Sequence, residues 1–173
     1  MIIRVMKGNR TAHGVELAGS EARCQRNAPK RILVVDDDEV LRQVNAEMLS
    51  SFGYETETAE DGAAAWEALQ ANGYDLLITD NNMPKVSGVE LVKKLRSAHM
   101  TLPVVLASGT IPTEAMNWNS SLQLAAMLLK PFTMDELLAT VKEVFRAADS
   151  AREQSEPMPV WRSQPSASGL RQR

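Results

Sequence analysis

The chain has 173 residues, of which 44% are hydrophobic and 24% are charged, and it contains one cysteine, Cys24. This composition is typical of a globular protein and excludes a collagen-like, coiled-coil or wholly disordered chain. A single cysteine excludes an internal disulfide bond and favours a reducing compartment, so we expect a cytoplasmic protein. No apolar run approaches the roughly 18 residues that a membrane-spanning helix requires, so we expect no membrane partner.

The formal net charge of −3 hides an uneven distribution of charge along the chain. Residues 1–29 contain five basic and two acidic side chains, and residues 150–173 contain four basic and two acidic ones. The residues between them contain 10 basic and 18 acidic side chains, so the body of the chain is acidic. The first segment lacks periodicity, and the last contains several Pro, Ser and Arg residues. We therefore predict a flexible N-terminal arm, a folded domain at 30–149 and a disordered tail. Residues 1–29 contain no aromatic residue and residues 150–173 contain only Trp161, so aromatic and basic residues are not interleaved and nucleic acid is not an expected partner.

Between the two ends, short apolar runs alternate with segments of helical periodicity. The predicted strands are residues 32–35, 54–58, 76–79, 104–107 and 125–129. Leu41, Val44, Met48 and Phe52 are spaced three and four apart and predict one apolar face of the first helix. The second helix is predicted to begin after Asp61, whose carboxylate can cap it.

The three remaining helices have signals of different strength. Apolar residues from Gly88 to Leu95 predict the third helix, and a weaker, polar helix is predicted at 113–120. Thr133 and Glu136 form a capping box at the start of the fifth. Its predicted buried face consists of Leu137, Leu138, Val141, Val144 and Phe145. Five strands that alternate with five helices predict an α/β fold with a doubly wound, five-stranded parallel sheet.

Polar residues follow four of the predicted strands, at the edge where such sheets bind ligands. They are Asp36, Asp37 and Asp38 after the first strand, Asp80 after the third, Ser108 after the fourth and Lys130 after the fifth. Clustered carboxylates repel one another unless a cation neutralises them, and Mg²⁺ prefers carboxylate and phosphate oxygens. A hydroxyl and an amine suit the oxygens of a phosphoryl group. These residues therefore favour a site for an aspartyl phosphate, with a carboxylate as nucleophile.

Four motifs carry a family resemblance. They are Ile32-Leu-Val-Val-Asp-Asp-Asp38, Ile78-Thr-Asp-Asn-Asn-Met-Pro84 followed by Gly88, Val104-Val-Leu-Ala-Ser108 and Lys130-Pro-Phe132. In this order and spacing they resemble the receiver domain of two-component response regulators. The resemblance implies a flavodoxin-like sheet with strand order 2-1-3-4-5. Since only about two dozen residues follow the predicted domain, too few for a second one, we expect a stand-alone regulator.

The resemblance also implies a role for each residue of the site. Asp80 would accept a phosphoryl group from a phosphohistidine of a sensor histidine kinase or a histidine phosphotransfer protein. The implied ligands of Mg²⁺ are Asp36, Asp37, Asp80 and the backbone carbonyl of Asn82, with Asp36 acting mainly through water. Lys130 would pair with Asp80 and then with the phosphate, and the Ser108 hydroxyl would move to bond the phosphate. The family's cis peptide would lie between Lys130 and Pro131.

In this family, phosphorylation changes a surface formed by the fourth helix, the fifth strand and the fifth helix. We expect that surface to bind a downstream protein, and a homodimer is a further expected form. Family members usually have Tyr or Phe three residues before the lysine, whereas this chain has Met127. Met127 therefore predicts a weaker or differently routed switch. The resemblance implies no enzyme beyond one that catalyses its own phosphorylation and dephosphorylation.

Two alternatives stay open on the sequence alone. The run from Asp36 to Asp38 is also similar to the opening motif of haloacid-dehalogenase-type phosphatases, in which Asp36 would be the nucleophile and Asp38 the general acid. That family leaves the motif around Asp80 unexplained. The other alternative is an inert, receiver-like binding module, against which the complete set of site residues argues.

Overall fold

The computed structural model describes residues 28–110 and 122–155, which form five strands and four helices around one sheet. In chain order these are β1 (Arg31–Val35), α1 (Glu39–Ser51), β2 (Glu55–Ala59), α2 (Gly62–Ala71), β3 (Leu76–Asp80), α3 (Gly88–Ser97), β4 (Val104–Ser108), β5 (Ala126–Leu129) and α4 (Met134–Ser155). All neighbouring strands are parallel, in the order β2-β1-β3-β4-β5. The predicted fold class and strand order are confirmed. The predicted arm up to residue 27, the helix at 113–120 and the tail from 156 lie outside the described residues.

Both faces of the sheet are covered, because successive strand residues point to opposite sides. On one face, strand residues such as Leu33, Leu77 and Leu106 pack with α2 and α3. On the other face, residues such as Ile32 and Ile78 pack with α1 and α4. The neighbouring strands β3 and β4 are buried along their whole length, as near-continuous apolar runs predict for a parallel sheet.

The first helix differs from its prediction in the face that it buries. The sequence predicts an apolar face that includes Leu41 and Phe52, yet these side chains are 45% and 56% exposed. The buried residues are Ala46 and Leu49. On the neighbouring strand β2, polar Thr56 contacts the helix. Its hydroxyl lies 2.7 Å from that of Ser50 and 3.4 Å from the Ala46 carbonyl oxygen. Helix α1 therefore buries Ala46 and Leu49, with Met48 partly buried beside them, and the predicted face is wrong for Leu41 and Phe52.

The last helix begins as predicted but ends later. The Thr133 N–H donates to Glu136 Oε2 at 2.7 Å and the Glu136 N–H donates to Thr133 Oγ at 3.2 Å, which confirms the capping box. All five residues of the predicted buried face are buried. The helix continues to Ser155, so residues 150–155 of the predicted disordered tail are helical. Within the described part of the chain, no helix combines the length and the apolar character needed to cross a bilayer.

Candidate functional site

Two buried carboxylates lie side by side where the neighbouring strands β1 and β3 end. Asp80 is the last residue of β3, and Asp36 directly follows β1, whose final residue pairs with Thr79. Asp36 and Asp80 are only 4% and 5% exposed. Asp37 is exposed beside them, and one carboxylate oxygen of each of the three residues lies within 4.8 Å of the others. The convergence that the sequence predicts for these acidic residues is therefore present.

Lys130 supplies the positive charge of this cluster. It follows the edge strand β5, and its Nζ lies 2.8 Å from Asp36 Oδ2 and 2.9 Å from Asp80 Oδ1. The pair with Asp80 is the expected one, whereas the contact with Asp36 was not predicted. Partial burial lowers the pKa of Lys130, but the hydrogen bonds and charges of the two carboxylates outweigh it and leave the pKa raised. The peptide bond between Lys130 and Pro131 is cis, as the resemblance implies.

Asn82 and Ser108 lie at the same edge of the sheet. The Asn82 backbone N–H donates to Asp80 Oδ2 at 2.9 Å, so both oxygens of the Asp80 carboxylate accept a hydrogen bond or ion pair. Ser108 is fully buried at the end of β4, one residue beyond the partner of Asp80. Its hydroxyl accepts the Thr110 N–H at 3.4 Å, and its carbonyl accepts the Lys130 N–H at 2.8 Å.

The third aspartate of the run, Asp38, has a different task. Its Oδ1 accepts the N–H groups of Val40 and Leu41 at 2.9 and 3.0 Å, which makes it the N-cap of α1. An aspartate directly before the first helical turn is a common N-cap. The Asp38 N–H in turn donates to Asp36 Oδ1 at 3.0 Å. Asp38 therefore orients Asp36 while its own carboxylate faces the helix.

The donor set of this site suits a hard divalent cation. Asp36, Asp37 and Asp80 present three carboxylates against the single ammonium of Lys130, which leaves two uncompensated negative charges. Carboxylate oxygens on short side chains are the ligands that Mg²⁺ prefers, usually together with water and phosphate oxygens. The residues present therefore fit Mg²⁺.

The structure adds two contacts that sequence reasoning missed. Arg42, on the second turn of α1, donates from Nη1 to the Asp36 carbonyl oxygen at 2.7 Å. Lys85, between β3 and α3, pairs with Asp61 at the start of α2. Asp61 was correctly predicted as a helix cap, but no local sequence signal identifies its lysine partner, because the two residues lie 24 positions apart.

Comparison with known proteins places this geometry in a family. Residues 32–142 match the family model described as the response regulator receiver domain. The chain belongs to this receiver family. The acidic cluster of Asp36, Asp37 and Asp80 is accordingly the acidic pocket of a receiver domain in two-component signalling. The haloacid-dehalogenase alternative is not retained, because the family match covers all four motifs.

Relatives and solved structures agree with this assignment. The chain is 36% identical over 115 residues to the sensor histidine kinase RcsC of Salmonella typhi and 34% identical over 118 residues to the response regulator MprA of Mycobacterium sp.. These matches cover 66% and 68% of this chain but only 12% and 51% of the relatives. Because the relatives are much longer than the matched part, the stand-alone form stays a prediction.

Two solved structures show the same fold along nearly their whole length. The chemotaxis protein CheY4 of Vibrio cholerae has a TM-score of 0.63 at 33% identity, and the match covers 68% of this chain and 99% of that one. The response regulator TrrA of Thermotoga maritima has a TM-score of 0.58 at 34% identity, with 66% and 98% covered. The TrrA structure was determined in complex with Mg²⁺ and BeF.

Proposed function

We propose that Asp80 is the phosphoacceptor of this receiver domain. The donor is a phosphohistidine on a sensor histidine kinase or a histidine phosphotransfer protein. The observation that carries the proposal is the arrangement of Asp80 itself: a buried carboxylate, held by Lys130 and by the Asn82 N–H, beside two further carboxylates. A carboxylate fixed in this way is a ready nucleophile that loses little conformational freedom on reaction.

The transfer breaks the P–N bond of the phosphohistidine and forms a P–O bond to a carboxylate oxygen of Asp80. Lys130 is already charged and lies within ion-pair distance of Asp80. Its ammonium can therefore remain paired with the phosphoryl oxygens as negative charge develops on them. The buried Ser108 hydroxyl, at the end of the neighbouring strand, is proposed to bond a phosphate oxygen afterwards. These residues position the reacting groups and stabilise the negative charge of the phosphoryl oxygens, which is the main requirement of phosphoryl transfer.

The proposed cofactor is Mg²⁺, held by Asp36, Asp37, Asp80 and the backbone carbonyl of Asn82. When bound, the cation supplies charge neutralisation for the phosphoryl oxygens. Support comes from the excess of carboxylates in the cluster and from the Mg²⁺ and BeF complex of the similar protein TrrA. We propose that the protein catalyses no reaction other than its own phosphorylation and dephosphorylation. A cytoplasmic location stays a prediction.

The proposed output is a surface that binds a downstream protein. It consists of β5, α4 and the predicted helix at 113–120, which lies outside the described residues. On β5, Leu129 is 54% exposed and the half-buried Met127 occupies the position where the family usually has an aromatic residue. A groove lined by both residues and Phe132 runs between β5 and α4. A flexible methionine at this point favours a switch that depends less on one side-chain flip.

The proposal is tested by labelling the full chain with a small phosphodonor in the presence and absence of Mg²⁺. We expect labelling that requires Mg²⁺ and disappears in Asp80→Asn. The matched control is Asp149→Asn, which removes an aspartate with 56% side-chain exposure at the opposite end of the sheet. It should be labelled like the wild type. Wild type without label would favour the inert module, and label that persists in Asp80→Asn would place the nucleophile elsewhere.

A further inference from the structure

The loop that joins β3 to α3 places groups of the site, and its base is fixed by backbone contacts. Within residues 81–87, the Asn82 N–H holds Asp80 Oδ2 at 2.9 Å. At the base, the Asn81 N–H donates to the Ala107 carbonyl at 2.9 Å, and the Gly88 N–H donates to the Asn81 carbonyl at 3.2 Å. The loop is therefore closed where it leaves the sheet. The position of its outer part depends on contacts made farther along.

The tip of the loop has an uncommon backbone conformation. Lys85 has a φ of 64°, in the left-handed region that favours glycine. A three-residue turn closes across it, because the Val86 N–H donates to the Pro84 carbonyl at 2.7 Å. Such a conformation at a residue with a side chain persists only where the surrounding structure fixes it. A contact that holds Lys85 is therefore needed.

Asp61 provides that contact from the start of α2. Lys85 Nζ lies 2.5 Å from Asp61 Oδ2. The carboxylate is itself immobile: its side chain is 2% exposed, and Oδ1 accepts the Ala63 and Ala64 N–H groups at 2.9 and 2.8 Å. The lysine is tied to an anchor that the helix start holds in one orientation.

A second contact between the loop and α2 is close packing of their backbones. A Cβ atom added to Gly62, the first residue of α2, would lie 2.5 Å from the Val86 carbonyl oxygen and 2.9 Å from the Val86 Cβ. The first turn of α2 thus packs directly against the loop residue that follows Lys85. The ion pair resists movement of the loop away from α2, and this close packing limits its movement toward the helix.

We propose that the ion pair between Asp61 and Lys85, here called the clasp, positions the loop so that Asn82 serves the magnesium site. The inference rests on the proposed function of Asp80 and deepens it. Asp61 and Lys85 are positioning residues, because they touch neither the reacting carboxylate nor its proposed cation. The clasp extends the support of the site to α2, an element that contributes none of the residues of the acidic cluster.

The decisive experiment is calorimetric titration of Mg²⁺ into the full chain and into Lys85→Met, which removes the ammonium and keeps the stem. By charge alone, loss of a cation from a protein that binds Mg²⁺ strengthens binding. Loss of positioning weakens it. We expect the Kd for Mg²⁺ to rise about tenfold, the lower end of the range for residues that support metal ligands. The sign of the change therefore separates the two effects.

Three further variants complete the test. Lys85→Arg keeps a cation within reach of Asp61 and should restore most of the affinity. Lys85→Gly accepts the positive φ without strain but has no clasp, so it should bind Mg²⁺ as weakly as Lys85→Met while its fold is secure. Lys142→Met is the charge control: it removes a lysine of α4 that lies over the Phe52 ring, and its Kd should not rise.

The outcomes separate failure of the clasp from failure of the proposed function. Wild type that binds no Mg²⁺ overturns the proposed function and the clasp with it. Wild type that binds Mg²⁺, with Lys85→Met and Lys85→Gly binding equally well or more tightly, overturns the clasp and leaves the proposed function intact. A rise in Kd for Lys142→Met equal to that for Lys85→Met also overturns the clasp, because the effect would then not depend on the loop.

Discussion

The two ends of β1 carry charged clusters with the same excess of negative charge but different construction. At its start, Lys30 and Arg31 pair with Asp75, Asp149, Glu55 and Glu57, whose side chains are 32% to 56% exposed. At its end, Lys130 faces Asp36, Asp37 and Asp80, of which Asp36 and Asp80 are buried. The first cluster is spread over several elements, whereas the second converges within 4.8 Å. Convergence and burial, rather than net charge, distinguish a binding site from a solvated surface.

The largest effect should come from removing the lysine at the buried end. Lys130→Met leaves two buried carboxylates without their cation, and we expect a loss of about 2–3 kcal/mol in the free energy of unfolding without Mg²⁺. Urea denaturation measures it. The matched variant Lys30→Met removes a lysine whose partners are exposed, and should cost less than about 1 kcal/mol. Equal losses would mean that burial does not separate the two clusters.

The next effect concerns the response of each cluster to Mg²⁺. A cation that binds only the folded state raises the free energy of unfolding by about 1.4 kcal/mol at ten times its Kd. We expect this gain in the wild type, because three carboxylates converge in the folded state alone, and a much smaller gain in Asp37→Asn. Asp149→Asn, at the opposite cluster, should keep the full gain. A gain that survives Asp37→Asn would place the cation elsewhere.

The sequence predicted the convergence of the acidic residues because they are marked locally. Asp36 and Asp80 each follow an apolar run, so the end of the strand also marks the edge where ligands bind. What it missed depends on contacts between distant residues. Nothing near Lys85 indicates a left-handed backbone, since lysine has no preference for it. The buried face of α1 was mispredicted because it depends on the neighbouring strand, where Thr56 contacts Ser50 and Ala46.

A smaller, pH-dependent effect on the free energy of unfolding is expected at Asp61, whose buried carboxylate pairs with the exposed Lys85. The hydrogen bond from Lys85, with those from the Ala64 and Ala63 N–H groups, lowers the pKa of Asp61 against the opposing effect of burial. An unfolded aspartate titrates near a pKa of about 3.9. The stabilisation is therefore present above that pH and is lost as the pH falls through the lower folded pKa.

Asp61→Asn should consequently be less stable than the wild type at pH 7, by a difference that shrinks as the solution becomes acidic. Urea midpoints measured from pH 7 down to about pH 3 check this, a range that spans the unfolded pKa. The asparagine keeps an oxygen that can cap α2, so the change reports on the charge. Asp149→Asn is the control. A difference between Asp61→Asn and the wild type that stays constant with pH would contradict the prediction.

The smallest effect should come from the exposed cluster itself. Arg31 Nε lies 3.0 Å from Glu55 Oε1, but their side chains are 33% and 54% exposed. Arg31 also donates to the Gly73 carbonyl at 2.9 Å and lies 3.4 Å from Glu57. Glu55→Gln should therefore change the free energy of unfolding by no more than about 0.5 kcal/mol, and added salt should reduce that change. A salt-independent loss above about 1.5 kcal/mol would show a tightly coupled network, and the contrast between the two ends of β1 would then fail.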